Sequence, residues 1–425
     1  VRPRVAVIGA GWAGLAAALE LAERADVCLF EAGRAPGGRA RRLGHGDSRL
    51  DNGQHILIGA YAECLRLMRK AGADPERLLL RQPMQWRREG GLSMRCPALP
   101  APLHLLFGLL AARGLSWRAK WQLARALQHL KRAGYRLAED CSVDAWLEAQ
   151  RQGEEARREF WRPLVLSALN TPTANASMRV LAAVLRDSLG AERAASDLLL
   201  PRVDLSALFP EPACDWLGRR GATLRFGRRV ETLASRDGRA WVDGEAFDAA
   251  ILATAPYHAA ALLDDAALRK QAAGYRYWPI CTVYLQYAKP LALPAAMCAV
   301  SGGAADWLFD RGALTGETGL LAAVLSAPAP ERLADVDALA ARVAADVARL
   351  RPDLPPPLSR RAIVDRRATF ASEQGLARPT AKTSLQCVYL AGDWVCPDYP
   401  ATLEGAVRSG VSAAAAVMQD LRIEQ

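Results

Sequence analysis

Short apolar runs alternate along this chain with longer stretches of helical periodicity. Val5-Ala6-Val7-Ile8 and Val27-Cys28-Leu29-Phe30 are uninterrupted apolar quartets, the pattern of strands buried on both faces. The stretch between them is rich in alanine and leucine and reads as a covering helix. From Pro83 to about Pro212 the pattern is mostly helical. Trp121, Leu123, Leu127 and Leu130 fall near helical spacing, and a leucine and alanine stripe runs from Val180 to Leu189. Farther on, Ala222–Phe226, Arg229–Leu233 and Ala240–Val242 read as short strands. Asp248–Pro256 reads as a buried strand ending in a turn. Ile280–Leu285 and Gly319–Leu325 suit strands of a second sheet. Cys387–Leu390 is again a short buried strand, and Pro400–Gly410 reads as a helix start. No internal repeat or low-complexity tract interrupts this order.

The first strand–helix–strand unit carries Gly9-Ala10-Gly11-Trp12-Ala13-Gly14, and Glu31 closes the second strand. A G-x-G-x-x-G turn between strand and helix, with an acid about twenty residues on, has the chemistry of a dinucleotide site. Gly9 allows the tight turn, Gly11 lets backbone approach a pyrophosphate, and Gly14 lets helix and strand pack closely. The helix N-terminus at Trp12 and Ala13 offers N–H groups and partial positive charge to phosphates. Glu31 can accept hydrogen bonds from ribose hydroxyls.

The loop after Glu31, Ala32-Gly33-Arg34-Ala35-Pro36-Gly37-Gly38-Arg39, brings bare backbone and cations to the same pyrophosphate. It resembles the flavin-containing amine oxidase and carotenoid desaturase superfamily, whose members bind FAD through E-A-x(n)-G-G-R. Two further segments carry the resemblance. In the superfamily a D-x-G segment, here Asp51-Asn52-Gly53-Gln54-His55, runs beside the flavin ring. Near the C-terminus, Gly392-Asp393 and the helix start at Thr402-Leu403-Glu404 would hold the ribityl chain and the flavin carbonyl edge. The segment around Thr254 resembles the superfamily's return to the cofactor domain, where a residue matching Val230 touches adenine through its backbone. The implied fold is α/β: a Rossmann-like FAD-binding domain with a mixed α+β substrate domain, of flavin amine oxidase type. The FAD-binding domain would be assembled from residues 1–82, 216–262 and 379–425. The substrate domain would comprise a mainly helical part, 83–215, and a sheet part, 263–378.

Composition sets further bounds. A chain of 425 residues with 51% apolar and 24% charged residues can bury a large core, and disorder is disfavoured. The net charge of +10 comes largely from arginine. It suits an acidic partner such as anionic lipid, or reflects compositional bias alone. No basic–aromatic pattern points to nucleic acid. Nine scattered cysteines without C-x-x-C suit free thiols in a reducing cytoplasm. The chain opens directly on its first strand, so no signal peptide is expected. Neither metal-ligand spacing nor G-x-S-x-G occurs.

No apolar run is long enough to span a bilayer. The nearest, Leu103–Ala112, follows Pro97, Pro100 and Pro102 and leads into Arg113, Trp117, Arg118, Lys120 and Trp121. This composition suits a helix lying in a membrane interface, or a buried helix of the second domain.

The middle of the chain narrows the resemblance. Ser167-Ala168-Leu169-Asn170-Thr171-Pro172, the segment Leu198–Pro212, and Asp51–Gly59 resemble the hydroxysqualene dehydroxylase family, also called squalene-associated FAD-dependent desaturases. The likeness extends over essentially the whole chain. It implies reduction of hydroxysqualene to squalene, on the bacterial route from farnesyl diphosphate towards hopanoids. An isoprenoid lipid substrate, an electron donor for the flavin, and a cytoplasmic location at the inner membrane face are its corollaries. Hydride transfer to such an alcohol needs an acid for the leaving hydroxyl and an apolar wall against water. Asp51, His55 and Asp393 are the candidate acids. An oxidative desaturase, an amine or protoporphyrinogen-type oxidase, and a non-catalytic flavin scaffold remain alternatives.

Overall fold

Two sheets organise the computed structural model, which describes residues 2–44, 50–395 and 399–422. The first has five parallel strands in the order Val388–Leu390, Ala249–Leu252, Arg4–Ile8, Asp26–Glu31 and Thr223–Phe226. Sequence neighbours are thus joined to strands about two hundred residues away or more. The apolar quartets are needed because both faces are covered. On one face Val5, Val7 and Leu29 pack with Leu15 and Leu19 of the helix Trp12–Leu21 and Val417 of the helix Leu403–Asp420. On the other, Ala6, Ile8 and Phe30 meet Val242 and Phe247. These last residues belong to a three-stranded antiparallel sheet, Leu233–Arg236, Arg239–Val242 and Glu245–Phe247.

The strand expected at Arg229–Leu233 forms only from Leu233 onward. The preceding residues are drawn into a loop. Gly227 and Arg228 donate their N–H groups to the carbonyls of Gly33 and Glu31 at 2.8 and 2.9 Å. Glu231 and Thr232 donate theirs to the Asp243 carboxylate, both at 2.9 Å. Those donors are therefore withheld from any ladder.

The second sheet is mixed and seven-stranded, in the order 359–370, 277–286, 320–326, 307–310, 297–300, 85–89 and 93–95. One face carries Cys281, Val283 and Leu285 against the helix Val336–Leu350. The other carries Tyr284, Trp307 and Phe309 against Trp86, Phe160 and the helices Trp117–Arg132, Arg162–Leu169 and Met178–Ser188. Alternation along the central strand Tyr277–Gln286 thus sends successive side chains to two separate cores. A small sheet joins Leu57–Ile58 and Leu79–Gln82 to Leu198–Pro201. Eight cysteines are free thiols; Cys396 lies outside the described residues.

The last helix crosses the first at Gly410, which lies on Ala13 and Ala16, while Gly14 seats the first helix on the Gly9 turn. A Cβ on Gly410 would land on the carbonyl oxygen of Ala13, and one on Gly14 would land on that of Gly9. Gly410→Ala is expected to destabilise the protein by about 1–3 kcal/mol, the usual cost of overpacking. Urea denaturation would measure it, and an unchanged midpoint would show that the crossing can open freely.

Candidate functional site

The carboxyl ends of the parallel strands Arg4–Ile8, Asp26–Glu31 and Val388–Leu390 carry Gly9, Glu31 and Gly392-Asp393 to one end of the sheet, where doubly wound sheets bind their ligands. Gly9 leaves the first strand with φ +112°, a conformation that only glycine adopts without strain. Its N–H donates to Phe30 O at 2.7 Å. Gly11 then caps the helix without any side-chain hydrogen bond, and the first turn holds no acidic residue. A Cβ on Gly11 would meet only the Cα of Gly38, at 4.0 Å. Gly37 donates to Ala10 O at 2.8 Å, laying the second glycine loop alongside the first. Bare backbone and an uncapped helix N-terminus therefore share one surface. Of Trp12 and Ala13 it is the backbone that faces this use. The Trp12 indole is buried, donating to Ala40 O at 3.1 Å and packing on Phe209.

Glu31 clamps both loops. One carboxylate oxygen accepts from Ala10 N–H at 2.8 Å and the other from Gly33 N–H at 2.7 Å. Each oxygen keeps a further lone pair that a ribose hydroxyl can use. Ala32 and Arg34 lie exposed on the outer turn of that loop. Val230 is buried, and its N–H and carbonyl make no hydrogen bond among the described residues.

Arg39 and Asp393 meet in an ion pair at 2.7 Å. Arg39 also donates to Ala368 O of the long strand Ser359–Phe370, at 2.8 Å. The G-G-R loop, the C-terminal Gly392-Asp393 and the second sheet are joined at this one guanidinium. Thr402 caps the last helix by accepting from Gly405 N–H at 3.1 Å, which leaves the N–H groups of Leu403 and Glu404 in its open first turn. The Glu404 side chain does not serve a cofactor as expected. Its carboxylate is fully buried, accepts from Glu63 and Cys64 N–H at 3.2 and 3.0 Å, and pairs with Arg408 at 2.7 Å. It caps the helix Ala62–Ala71.

The Asp51–His55 segment divides its side chains between two environments. Asn52 donates to Arg39 O at 3.0 Å and reaches Asp365 at 3.3 Å. Gly53 leaves its Cβ position open, with Thr282 Oγ1 3.5 Å and His55 Cε1 3.9 Å from that point. The His55 Nδ1–H donates to Gly53 O at 2.7 Å. Burial lowers the imidazole pKa below its ordinary value, and the nearby Arg39 charge adds to this. His55 is therefore neutral near pH 7, and its Nε2 offers a lone pair. As a proton donor it is unsuited.

Gln54 and Asp51 turn the other way, towards Arg311, a fully buried arginine. Arg311 donates to Gln54 Oε1 at 3.1 Å, contacts Asp51 at 3.4 Å, and pairs with Glu317 at 2.8 Å. The Gln54 side chain is thus committed away from the groove. Asp51 also accepts from Leu205 N–H at 2.9 Å. Burial pushes its carboxyl up to about 7, against the opposing pull of Leu205 N–H and Arg311. The Asp51 carboxyl therefore titrates near neutrality. It does so inside this network, and Asp393 is the counterion of Arg39.

Sequence patterns do not reveal Arg311, Tyr284, whose hydroxyl donates to Asp51 O at 3.1 Å, or Asp365. None sits in a motif: Tyr284 and Asp365 are placed by sheet pairing, and Arg311 opens the helix Arg311–Thr315 after the strand 307–310. Unpartnered buried hydroxyls at Thr254, Tyr277 and Thr282 add further polar atoms. Thr254 adjoins the Gly9 turn. With the open glycine surface and the free first-turn N–H groups, these fit a phosphate-bearing flavin. Among the described residues, no group of three or more His, Cys, Asp or Glu could hold a metal ion.

The fold is shared with flavin amine oxidases, and by family the chain is a flavin-dependent oxidoreductase. Residues 12–418 match the model of the flavin containing amine oxidoreductase family, and the chain belongs to it. The chain is homologous to hydroxysqualene dehydroxylases. It is 31% identical to that of Rhodopseudomonas palustris, over 97% of this chain and 98% of the relative. It is 29% identical to that of Sinorhizobium fredii, over 96% and 97%. Cyclohexylamine oxidase from Brevibacterium oxydans shares the fold with a TM-score of 0.68 at 18% identity, covering 99% of this chain and 100% of that one.

Two outcomes follow from this geometry. Glu31→Ala should weaken cofactor binding by about 1.5–3 kcal/mol, the range for hydrogen bonds to a charged group, as read by flavin titration of the apoprotein. Unchanged affinity would remove Glu31 from the site. Asp51 binds a proton more tightly folded than unfolded, so its ionisation subtracts stability as pH rises from about 4 to about 7. The melting temperature of Asp51→Asn minus that of the parent should therefore increase across this window and level off above it. A difference that instead falls with pH would mean that Asp51 is a stabilised carboxylate.

Proposed function

We propose that this protein binds FAD and reductively removes the hydroxyl group of hydroxysqualene, forming squalene on the bacterial route to hopanoids. The observation that carries this reading is end-to-end similarity to hydroxysqualene dehydroxylases at about 30% identity. The site's chemistry supports it. Reduced FAD supplies a hydride, and the reading requires a separate electron donor for the flavin. The glycine loops and the first turns of the helices at Trp12 and Leu403 would bind the pyrophosphate and flavin ends, Glu31 the ribose, and the Val230 backbone the adenine. Arg39, held by Asp393, keeps the glycine loop against the second sheet.

An allylic-type alcohol loses hydroxide poorly, so the leaving oxygen would take a proton from a water molecule or hydronium and depart as water, the carbon receiving the hydride that reduced FAD would supply. The residues here are suited to exclude competing water. Leu50 and Ile56 flank the Asp51–His55 segment and pack on the same apolar cluster as Ile280, Trp86 and Phe309. A delocalised cation formed against that wall is shielded from recapture. His55 Nε2 can accept a hydrogen bond at this border, and the Asp51–Arg311 network fixes the segment from behind.

Anaerobic incubation of the flavin-loaded protein with hydroxysqualene and a chemical flavin reductant should yield squalene, one per flavin in a single turnover, identified by mass spectrometry. Unchanged substrate would refute the reading, and a newly desaturated polyene under oxidising conditions would replace it with the reverse direction of electron flow.

A further inference from the structure

Nine large apolar side chains are exposed among the described residues, and six of them, Leu103, Leu106, Phe107, Leu110, Trp117 and Trp121, belong to one helical hairpin. This concentration is not the scatter of an ordinary surface. The helix Leu103–Ala111 holds no acidic residue and no lysine or arginine. Its inner side is seated by the buried His104 and Gly108, and by Leu105 and Leu109 against the apolar cluster. Its outer side presents the leucines and Phe107. The next helix, Trp117–Arg132, is capped by Ser116, and its first two turns expose Trp117 and Trp121 at 70% and 62%. Lys120 fastens the two helices by donating to Leu110 O at 2.8 Å. Its ammonium also lies 4.6 Å from the Trp117 ring centre, and Arg125 lies 5.0 Å from that of Trp121.

Charge indicates the occupant. No aspartate or glutamate occurs between Glu89 and Glu139, while that stretch carries eight arginines and lysines, including the exposed Arg113 and Arg118. A second copy docked symmetrically on this face would set one cationic belt against another. We propose that the hairpin Leu103–Arg132 docks this protein on an anionic lipid bilayer. Leu103, Leu106, Phe107 and Leu110 enter the acyl boundary, the two indoles lie at headgroup depth, and the cations face lipid phosphates. No described helix is long and apolar enough to cross the membrane, so the contact is interfacial. The inner side of the same hairpin joins the apolar cluster that reaches Leu50 and Ile56 beside His55. The docking does not depend on the proposed reaction.

The flavin-loaded protein would be sedimented with vesicles of phosphatidylcholine alone or mixed with phosphatidylglycerol. Binding should favour the anionic vesicles and fall with salt. Leu106→Ser/Phe107→Ser should weaken it roughly tenfold or more, since burying the half-exposed parts of the two side chains is together worth at least about that factor. Should that variant lose its flavin or its fold, Arg113→Glu/Arg118→Glu alters only exposed positions and should abolish the preference for anionic vesicles. Brominated lipid should quench tryptophan emission in the parent, and much less in Trp117→Phe/Trp121→Phe. Equal binding to both vesicle types, or unaltered binding by the variants, would overturn the proposal. So would a dimer that disperses only when Leu106 and Phe107 are replaced. None of these readouts requires the substrate, so failure of the docking is separable from failure of the proposed reaction.

Discussion

The close approach of backbone to backbone around the first helix is the constraint on which the rest depends. Gly14 allows that helix to lie against the Gly9 turn, and Gly410 allows the last helix to lie against Ala13. Any Cβ at either place would collide with a carbonyl, and backbone cannot yield as a flexible side chain can. The two contacts fix the helix N-termini at Trp12 and Leu403 relative to the parallel sheet. They bring the two ends of the chain together, so residues nearly four hundred positions apart are in contact.

Two buried or partly buried arginines then hold the halves of the molecule together. Arg39 gathers the glycine loop, Asp393 and the carbonyl of Ala368 at the groove itself. Arg311 gathers Gln54, Asp51 and Glu317 behind it. A buried guanidinium left without these partners would be costly, so each acts as a geometric requirement more than as a source of net stability. The Asp51–His55 segment lies between the two, with Asn52 bound at the Arg39 side and Asp51 at the Arg311 side.

The segments Ser167–Pro172 and Leu198–Pro212 have structural roles that reach the Asp51–His55 segment and the glycine loop. Asp204 caps the short helix Leu205–Leu208, and the Leu205 N–H donates to Asp51. Phe209 packs on Trp12, and Pro210 lies 3.2 Å from the position of a Cβ at Gly37. Asn170 ends the helix Arg162–Leu169 in a left-handed turn. It donates to Thr369 Oγ1 at 2.9 Å and accepts from Ala327 N–H at 2.7 Å. It thereby ties the helix to the second sheet near its register shift between Trp278 and Ile280.

Local chemistry was legible in the sequence wherever a few neighbouring residues suffice. The buried strands follow from uninterrupted apolar quartets, the dinucleotide turn from its glycines, the closing acid from Glu31, and the last helix start from Thr402. Each is dictated by backbone sterics or by hydrogen bonds within a single unit. What required the tertiary structure was the assignment of polar side chains among competing partners. Glu404 looked like a cofactor ligand because it opens a helix at the groove, yet two N–H groups of another helix claim its carboxylate. Arg229–Thr232 looked like strand, yet Asp243 and the carbonyls of Gly33 and Glu31 take the donors along that loop. His55 and Asp51 have similar candidacy on paper. Only the fold decides that one is a neutral imidazole bound to Gly53 and the other a buried carboxyl beside Arg311. A linear pattern records which groups can bond and which residues repel water. It does not record which of several donors or acceptors arrives nearest, and in a low-dielectric interior that proximity sets charge, orientation and role.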